Sequence, residues 1–184
     1  MRNTRRRGML LNVNGSILKK HKKSIYSLRG CAKEYGVPPN VLIGIYMLEV
    51  TFRSRLFRLG EYMATIVGIC CNILFKIPVK NYTIGKCQVG LTSILYYHGL
   101  SEYNLHSRKV DDFNFSKFLL VLKSISFKTN SRIFADKISR YHKNIANSPS
   151  SQNLIIFIGE YYNGKLGYGL SLEKIVNDLD AIFL

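Results

Sequence analysis

Residues 41–58 have an apolar pattern with helical spacing, interrupted by one acidic residue. The pattern is formed by four residues spaced 3, 4 and 3 apart: Leu42, Ile45, Glu49 and Phe52. These spacings place the four side chains on one side of an α-helix. The segment therefore predicts a helix whose apolar face carries one carboxylate, that of Glu49.

Helical spacing continues through most of the remaining sequence, which predicts a mainly α protein. Further helices are predicted at residues 61–75, 92–97, 111–126, 131–144, 152–160 and 171–184. The apolar run at residues 62–75 contains Asn72 and is shorter than the ~18 residues expected of a membrane-spanning helix. We interpret this run as a buried core helix of a soluble protein. A length of 184 residues with 47% hydrophobic residues suits a single domain with a sizeable core.

Positive charge is concentrated at the start of the chain. The whole sequence has 27 Lys and Arg against 11 Asp and Glu, a net charge of +16. Nine of the basic residues and none of the acidic ones lie in residues 1–30, which we interpret as a basic N-terminal arm before a single domain at residues 31–184. This charge favours a polyanionic partner: nucleic acid, an anionic membrane surface or an acidic cell-wall polymer. The arm lacks the interleaved aromatic residues of single-strand binding platforms, so no specific nucleic acid is predicted.

The cysteines and histidines give no sign of a metal site or a cofactor. The four cysteines contain no CxxC pair and are Cys31, Cys70, Cys71 and Cys87. Buried free thiols are expected, with one disulfide such as Cys31 to Cys87 as an alternative. The four histidines show no ligand spacing, so neither a metal nor a cofactor is predicted.

No conventional export signal is expected. The basic start at residues 1–23 resembles that of a signal peptide, but its apolar stretch at residues 9–11 is shorter than the ~7–15 residues that such a signal needs.

Glu49 has two interpretations. A carboxyl group that is buried on an apolar helix face loses hydration, which favours its neutral form and suits it to donate a proton near neutral pH. Alternatively, Arg53 lies four residues further along the same helix and could form a structural ion pair with Glu49.

Three motifs occur in an order that resembles lysozyme-like lytic transglycosylases. The first is Tyr-Gly-Val-Pro-Pro-Asn at residues 35–40, followed by the helix to Glu49. The second is Thr-Ile-Gly-Lys-Cys-Gln-Val-Gly-Leu at residues 83–91, similar to the family's Gly/Gln turn. The third is Gly-Glu-Tyr-Tyr-Asn-Gly at residues 159–164, similar to the family's Ala-Tyr-Asn-x-Gly signature.

The resemblance implies a lysozyme-like domain that cleaves peptidoglycan glycan strands between N-acetylmuramic acid and N-acetylglucosamine. Glu49 falls on the family's catalytic glutamate, the general acid and base. Gly85 and Gln88 match its cleft-lining turn, and Tyr162 and Asn163 match the pair that faces the acid and the sugar. A scheme with two carboxylates would require a second acid. The candidates are Glu61, Asp111 and Asp112.

The resemblance leaves three points open. A transglycosylase would use the muramic C6 hydroxyl as nucleophile and a lysozyme would use water. Without an export signal, such an enzyme would reach the envelope by phage-type release or a dedicated apparatus, unless an N-terminal portion is missing from the sequence. The rival interpretation is a non-catalytic basic helical protein that binds nucleic acid or an anionic membrane or wall surface, with Glu49 paired to Arg53. A lysozyme-like fold without activity is a third possibility. The oligomeric state is not predicted.

Overall fold

The computed structural model describes residues 15–101, 109–146, 154–163 and 167–183. These residues are mainly helical, as the sequence pattern predicts. The helices are α1 (Gly15–Lys20), α2 (Lys22–Tyr35), α3 (Pro39–Phe52), α4 (Arg55–Phe75), α5 (Leu91–Tyr97), α6 (Phe115–Lys123), α7 (Phe127–Ala146), α8 (Leu154–Asn163) and α9 (Tyr168–Phe183). The strands are β1 (Val79–Lys80), β2 (Thr83–Ile84), β3 (Val89–Gly90) and β4 (Lys109–Val110). The fold divides into two compact units, one formed by residues before Glu49 and from Ile138 onward, the other by Glu49–Lys137.

The first unit has its core around α3. Every residue from Val41 to Glu49 is buried. Helix α3 is therefore enclosed on all sides over this length, and not only along the apolar side that the sequence predicts. Helices α8 and α9 pack closely against each other where two glycines meet: a Cβ atom built on Gly159 would lie 2.7 Å from the Cα of Gly169. The absence of side chains at this crossing lets the two backbones approach.

The predicted boundary after residue 30 falls inside a helix. Helix α2 runs from Lys22 to Tyr35 and buries Ile25 and Leu28, so the arm cannot end there as a separate segment. A glycine followed closely by Pro38 and Pro39 predicts a helix end, and α2 does end at Gly36, which adopts a left-handed conformation with φ 66°. Residues 1–14 of the predicted arm lie outside the described residues.

The predicted helix at residues 41–58 is two helices. Helix α3 ends at Phe52 and α4 begins at Arg55, with Ser54 in an extended conformation between them. The Ser54 hydroxyl accepts a hydrogen bond from the Phe57 backbone N–H at 3.1 Å and so caps α4. Apolar residues continue on both sides of this cap, which is why the periodicity alone did not reveal it.

The second unit contains α4, the short strands and helices α5 and α6. Strand β1 pairs antiparallel with β4 through Val79 and Val110, and β2 pairs antiparallel with β3 through Ile84 and Val89. Helix α4 packs against β1 and β2. The sequence predicted a turn at residues 83–91, which the β2–β3 hairpin confirms, but it did not predict the pairing of β1 with β4.

Helix α4 is not the buried core helix that its composition suggested. Only 17% of its most apolar stretch is buried, and Leu56, Met63 and Leu74 are each more than half exposed. Among the described residues, Leu56–Phe75 is the one helix whose length and composition would allow it to cross a membrane. The apolar run predicted at residues 62–75 was too short, because it left out the apolar residues from Leu56 onward in the first turns of α4.

None of the four cysteines, all of which lie in the described ranges, forms a disulfide. Cys31 and Cys87 are buried, as predicted. Cys70 is exposed and Cys71 is half-buried, because both lie on α4, where few residues are covered.

Candidate functional site

Glu49 lies in the last turn of α3 and is 3% exposed. One of its carboxylate oxygens, Oε2, is 3.0 Å from Nε of Arg53. The ion pair expected from the spacing of four residues is therefore present. Burial of a carboxylate is costly without a compensating partner, and Arg53 provides one.

Arg53 also binds three side chains other than that of Glu49. Its Nη1 lies 3.1 Å from both carboxylate oxygens of Glu61 on α4 and donates at 2.9 Å to the Thr83 hydroxyl on β2. The same nitrogen donates at 2.7 Å to the side-chain oxygen of Gln88. Nε faces Glu49, while the two hydrogens of Nη1 are shared among Glu61, Thr83 and Gln88. One guanidinium thus connects the end of α3, the start of α4 and the β2–β3 hairpin.

The β2–β3 turn presents Gln88 to Arg53 in an unusual backbone conformation. Gln88 has φ 52°, is 2% exposed and donates from its amide Nε2 to the Gly85 carbonyl at 2.8 Å. In this conformation its amide oxygen accepts from Arg53 and Thr83, so the side chain organises the turn from within. A sugar contact by Gln88 stays a prediction.

Asn130 on α7 fixes the same turn from the other side. It is fully buried, accepts from the Cys87 backbone N–H at 2.9 Å and donates to the carbonyls of Ile84 and Ser124. Gly85 has φ 78°, and a Cβ atom there would lie 2.1 Å from the Asn130 amide nitrogen. Glycine is therefore required at residue 85 both by its backbone angle and by contact with Asn130.

Tyr62 on α4 also reaches this turn. Burial raises the pKa of its hydroxyl above 10.0, while a hydrogen bond with the Gly85 backbone and the charge of Arg58 act in the opposite direction. Tyr62 is therefore a neutral phenol at physiological pH, next to the glycine that the family resemblance assigns to the cleft.

The three candidate second acids occupy different surroundings. Glu61 is bound to the same guanidinium as Glu49. Asp111 and Asp112 follow β4 and are exposed, and Asp112 pairs with Lys117 at 3.1 Å. The hydrogen bond and charge of Lys117 lower the pKa of the Asp112 carboxyl. Of the three, only Glu61 shares a side-chain partner with Glu49 in the described contacts.

The structure brings together three of the five residues that the resemblance selects: Glu49, Gly85 and Gln88, all joined through Arg53 and the β2–β3 turn. Tyr162 and Asn163 are the last two residues of α8 in the other unit, where the Tyr162 ring lies 6.2 Å from that of Tyr168. Their predicted roles stay predictions.

The sequence did not reveal Thr83 or Asn130 as members of this cluster. Neither forms a local pattern with Glu49, and both reach the cluster only through the fold. Within the described ranges, no three His, Cys, Asp or Glu side chains gather as a metal ion would require. The chemistry available here is that of two carboxylates, one guanidinium and the amide and hydroxyl groups bound to it.

Comparison with known protein families, with curated proteins and with solved structures found no match for this chain.

Proposed function

We propose that the protein is a lysozyme-like glycosidase that cleaves the glycan strands of peptidoglycan, as a lytic transglycosylase with Glu49 as general acid and base. The observation that carries the proposal is the buried carboxylate of Glu49, linked by Arg53 to a glycine-containing turn that holds Gln88. Glu49 ends the helix segment that follows the first motif of the family resemblance, and Gly85 and Gln88 belong to the second motif. The resemblance rests on sequence alone, so the proximity of these residues in the folded structure is independent support for the proposal.

The reaction requires Glu49 to carry a proton when substrate binds. Its carboxyl group donates that proton to the glycosidic oxygen as the bond from muramic C1 to this oxygen breaks. The muramic C6 hydroxyl then forms a bond to C1 and returns its proton to the Glu49 carboxylate. The products are a 1,6-anhydromuramic end and a free N-acetylglucosamine hydroxyl.

The charges around Arg53 are compatible with such a proton. Glu49, Glu61 and Arg53 together carry one net negative charge when both carboxylates are ionised. One proton on Glu49, as the reaction requires, brings the formal charge of these three side chains to zero.

The test is the release of soluble muropeptides from purified sacculi, identified by mass spectrometry. The wild-type chain, Glu49→Gln and Glu34→Gln are compared. Glu34 is an exposed glutamate on α2, so its variant removes one carboxylate without touching the cluster. Circular dichroism confirms that each variant is folded.

We expect 1,6-anhydro products from the wild-type chain and from Glu34→Gln, and a loss of at least about a hundredfold in rate for Glu49→Gln, because a positioned general acid contributes about 10²–10⁴-fold. Reducing ends in place of anhydro ends would reassign the protein as a lysozyme. Undiminished cleavage by a folded Glu49→Gln protein would refute the role of Glu49.

The second candidate is a non-catalytic basic protein that binds a polyanion. The observation that favours it is the ion pair between Glu49 and Arg53, whose 3.0 Å separation stabilises an ionised carboxylate. In this case Glu49 is a structural residue.

Retention on heparin and on DNA distinguishes this candidate. It predicts strong retention that Glu49→Gln leaves unchanged, together with no muropeptide release by the wild-type chain. Release of muropeptides would exclude a purely non-catalytic protein whatever the retention.

A further inference from the structure

The exposed residues of α4 form one continuous apolar face. At 100° per residue, six of its exposed side chains fall within a narrow stripe along the helix. We name this stripe the α4 apolar face; its residues are Leu56, Leu59, Met63, Val67, Cys70 and Leu74. Eight of the sixteen exposed large apolar side chains in the described part of the chain lie between Leu56 and Ile77. A single apolar residue at a protein surface is ordinary, but a continuous face marks an interaction site.

The opposite side of α4 is fixed to the rest of its unit. Thr65, Ile69 and Asn72 are buried there. The Asn72 amide donates to the Ile77 carbonyl at 2.8 Å and accepts from the Phe113 N–H at 2.7 Å. The two sides of α4 thus differ. One side packs against its own unit and has the Asn72 amide hydrogen-bonded, and the other side is apolar and exposed.

The charges near this face are mainly positive. Between residues 50 and 101 the sequence contains six basic residues and one acid, Glu61, and that acid is bound to Arg53. Lys76 and Lys80 are exposed just beyond the C-terminal end of α4. Asp112 is an exposed acid close enough to Lys76 for their charges to interact, and it is paired with Lys117. An apolar helix face with an excess of exposed cations at its end is complementary to a bilayer that contains anionic lipids.

We propose that α4 lies in the surface of an anionic bilayer, with the α4 apolar face inserted among the acyl chains near the headgroups and the cations against lipid phosphates. The proposal does not depend on glycosidase activity. It assigns membrane binding to a helix within the folded unit.

Two other occupants fit the structure less well. If α4 crossed the bilayer, Asn72 and Glu61 would have to leave their partners and enter hydrocarbon, which is costly. If the face bound a second copy of itself, two-fold symmetry would bring surfaces of the same positive sign together.

A fluorescence experiment tests the proposal without background, because the chain contains no tryptophan. Met63→Trp places a reporter on the α4 apolar face, near the middle of the helix. Leu170→Trp places a control reporter on α9, where Leu170 is 58% exposed, comparable with 55% for Met63. Both full-length variants are titrated with vesicles of phosphatidylcholine alone and with vesicles of equal parts phosphatidylcholine and phosphatidylglycerol.

We expect a blue shift for Met63→Trp with the anionic vesicles, affinity at least about tenfold lower for phosphatidylcholine vesicles, and weakening by salt. Leu170→Trp should show no shift. Leu59→Gln with Val67→Gln, added to Met63→Trp, should lower the affinity about tenfold or more because two apolar side chains no longer insert. Both replaced residues are more than half exposed, so the folded structure should tolerate the changes.

Lipids brominated at different depths locate the reporter. We expect the strongest quenching near the headgroup boundary, since interfacial helices lie about 5–10 Å into this region. Strongest quenching at the bilayer centre would mean a spanning helix and would overturn the proposal. So would equal shifts for both reporters, equal affinity for both vesicles, or a blue shift that rises with protein concentration without vesicles, which would indicate a dimer. Muropeptide release by a chain that fails these tests would leave the proposed activity intact.

Discussion

Helices α3 and α4 are adjacent in sequence and similar in apolar composition, yet they have opposite surroundings. Every residue of α3 from Val41 to Glu49 is buried. Helix α4 exposes Leu56, Met63 and Leu74, and buries a narrow side that contains Thr65 and Asn72. The difference shows that apolar composition favours the burial of a helix but does not determine whether other parts of the fold pack against it.

The polar residues differ in the same way. The buried Glu49 is held by the charge of Arg53, whereas Asn72 satisfies both ends of its amide with backbone groups. A buried charge requires an opposite charge, while a buried amide needs only hydrogen-bond partners. We therefore expect the stability of the protein to be most sensitive to substitutions at the junction of the two helices, where Arg53 pairs with Glu49.

The largest effect is expected from Arg53→Met at this junction. The substitution leaves two carboxylates without their shared guanidinium, which should lower the free energy of unfolding by about 3–5 kcal/mol. Urea denaturation of the full chain measures it. Arg132→Met, at an exposed arginine of α7, is the control and should change little. Adding Glu49→Gln should restore part of the loss, because one buried charge is then removed. A loss below about 1 kcal/mol would show that the cluster is not stabilising.

A matched pair of leucines tests the contrast between the two helices directly. Leu42 on α3 is fully buried and Leu56 on α4 is 81% exposed. We expect Leu42→Ala to cost about 2–5 kcal/mol, through lost burial and a cavity, and Leu56→Ala to stay within about 0.5 kcal/mol. Thermal and urea unfolding report both. Comparable costs would mean that Leu56 is covered in solution.

Gly85→Ala tests the turn that contacts the packed side of α4. Gly99 is its control, because it also has a positive φ, 69°, but nothing lies within 4 Å of a Cβ atom there. Both variants should lose about 1–2 kcal/mol from backbone strain. Gly85→Ala should lose more, since Asn130 must move. Equal losses would show that the contact with Asn130 adjusts freely.

The smallest effect is expected from His98 at the end of α5. Burial lowers its pKa from the ordinary value of 6.5, and the charge of Lys123 adds to this. The folded protein therefore binds fewer protons than the unfolded chain as the pH falls below about 6.5, so stability declines through this window and levels off below the folded pKa. His98→Gln should flatten the decline in urea midpoints. An unchanged slope would contradict a role for His98.

Local pattern predicted much of the secondary structure. The Gly36 helix end, the mainly helical class and the turn at residues 83–91 follow from spacing and glycine placement, which act over a few residues. The break at Ser54 and the pairing of β1 with β4 did not follow. The first depends on one hydroxyl within an apolar run, and the second joins residues about thirty positions apart.

The contacts of the candidate site also fall into two groups: those that local sequence predicts and those that only the fold creates. The sequence by itself determined that Glu49 would lie on an apolar helix with Arg53 four residues later, and this spacing allows the ion pair although α3 ends at Phe52, one residue before Arg53. Only the tertiary structure decided that Arg53 also binds Glu61, Thr83 and Gln88, that Asn130 holds the turn, and that α4 has an exposed face. The reason is physical: helical geometry acts between near neighbours, whereas burial and long-range hydrogen bonds depend on which surfaces the folded chain brings together.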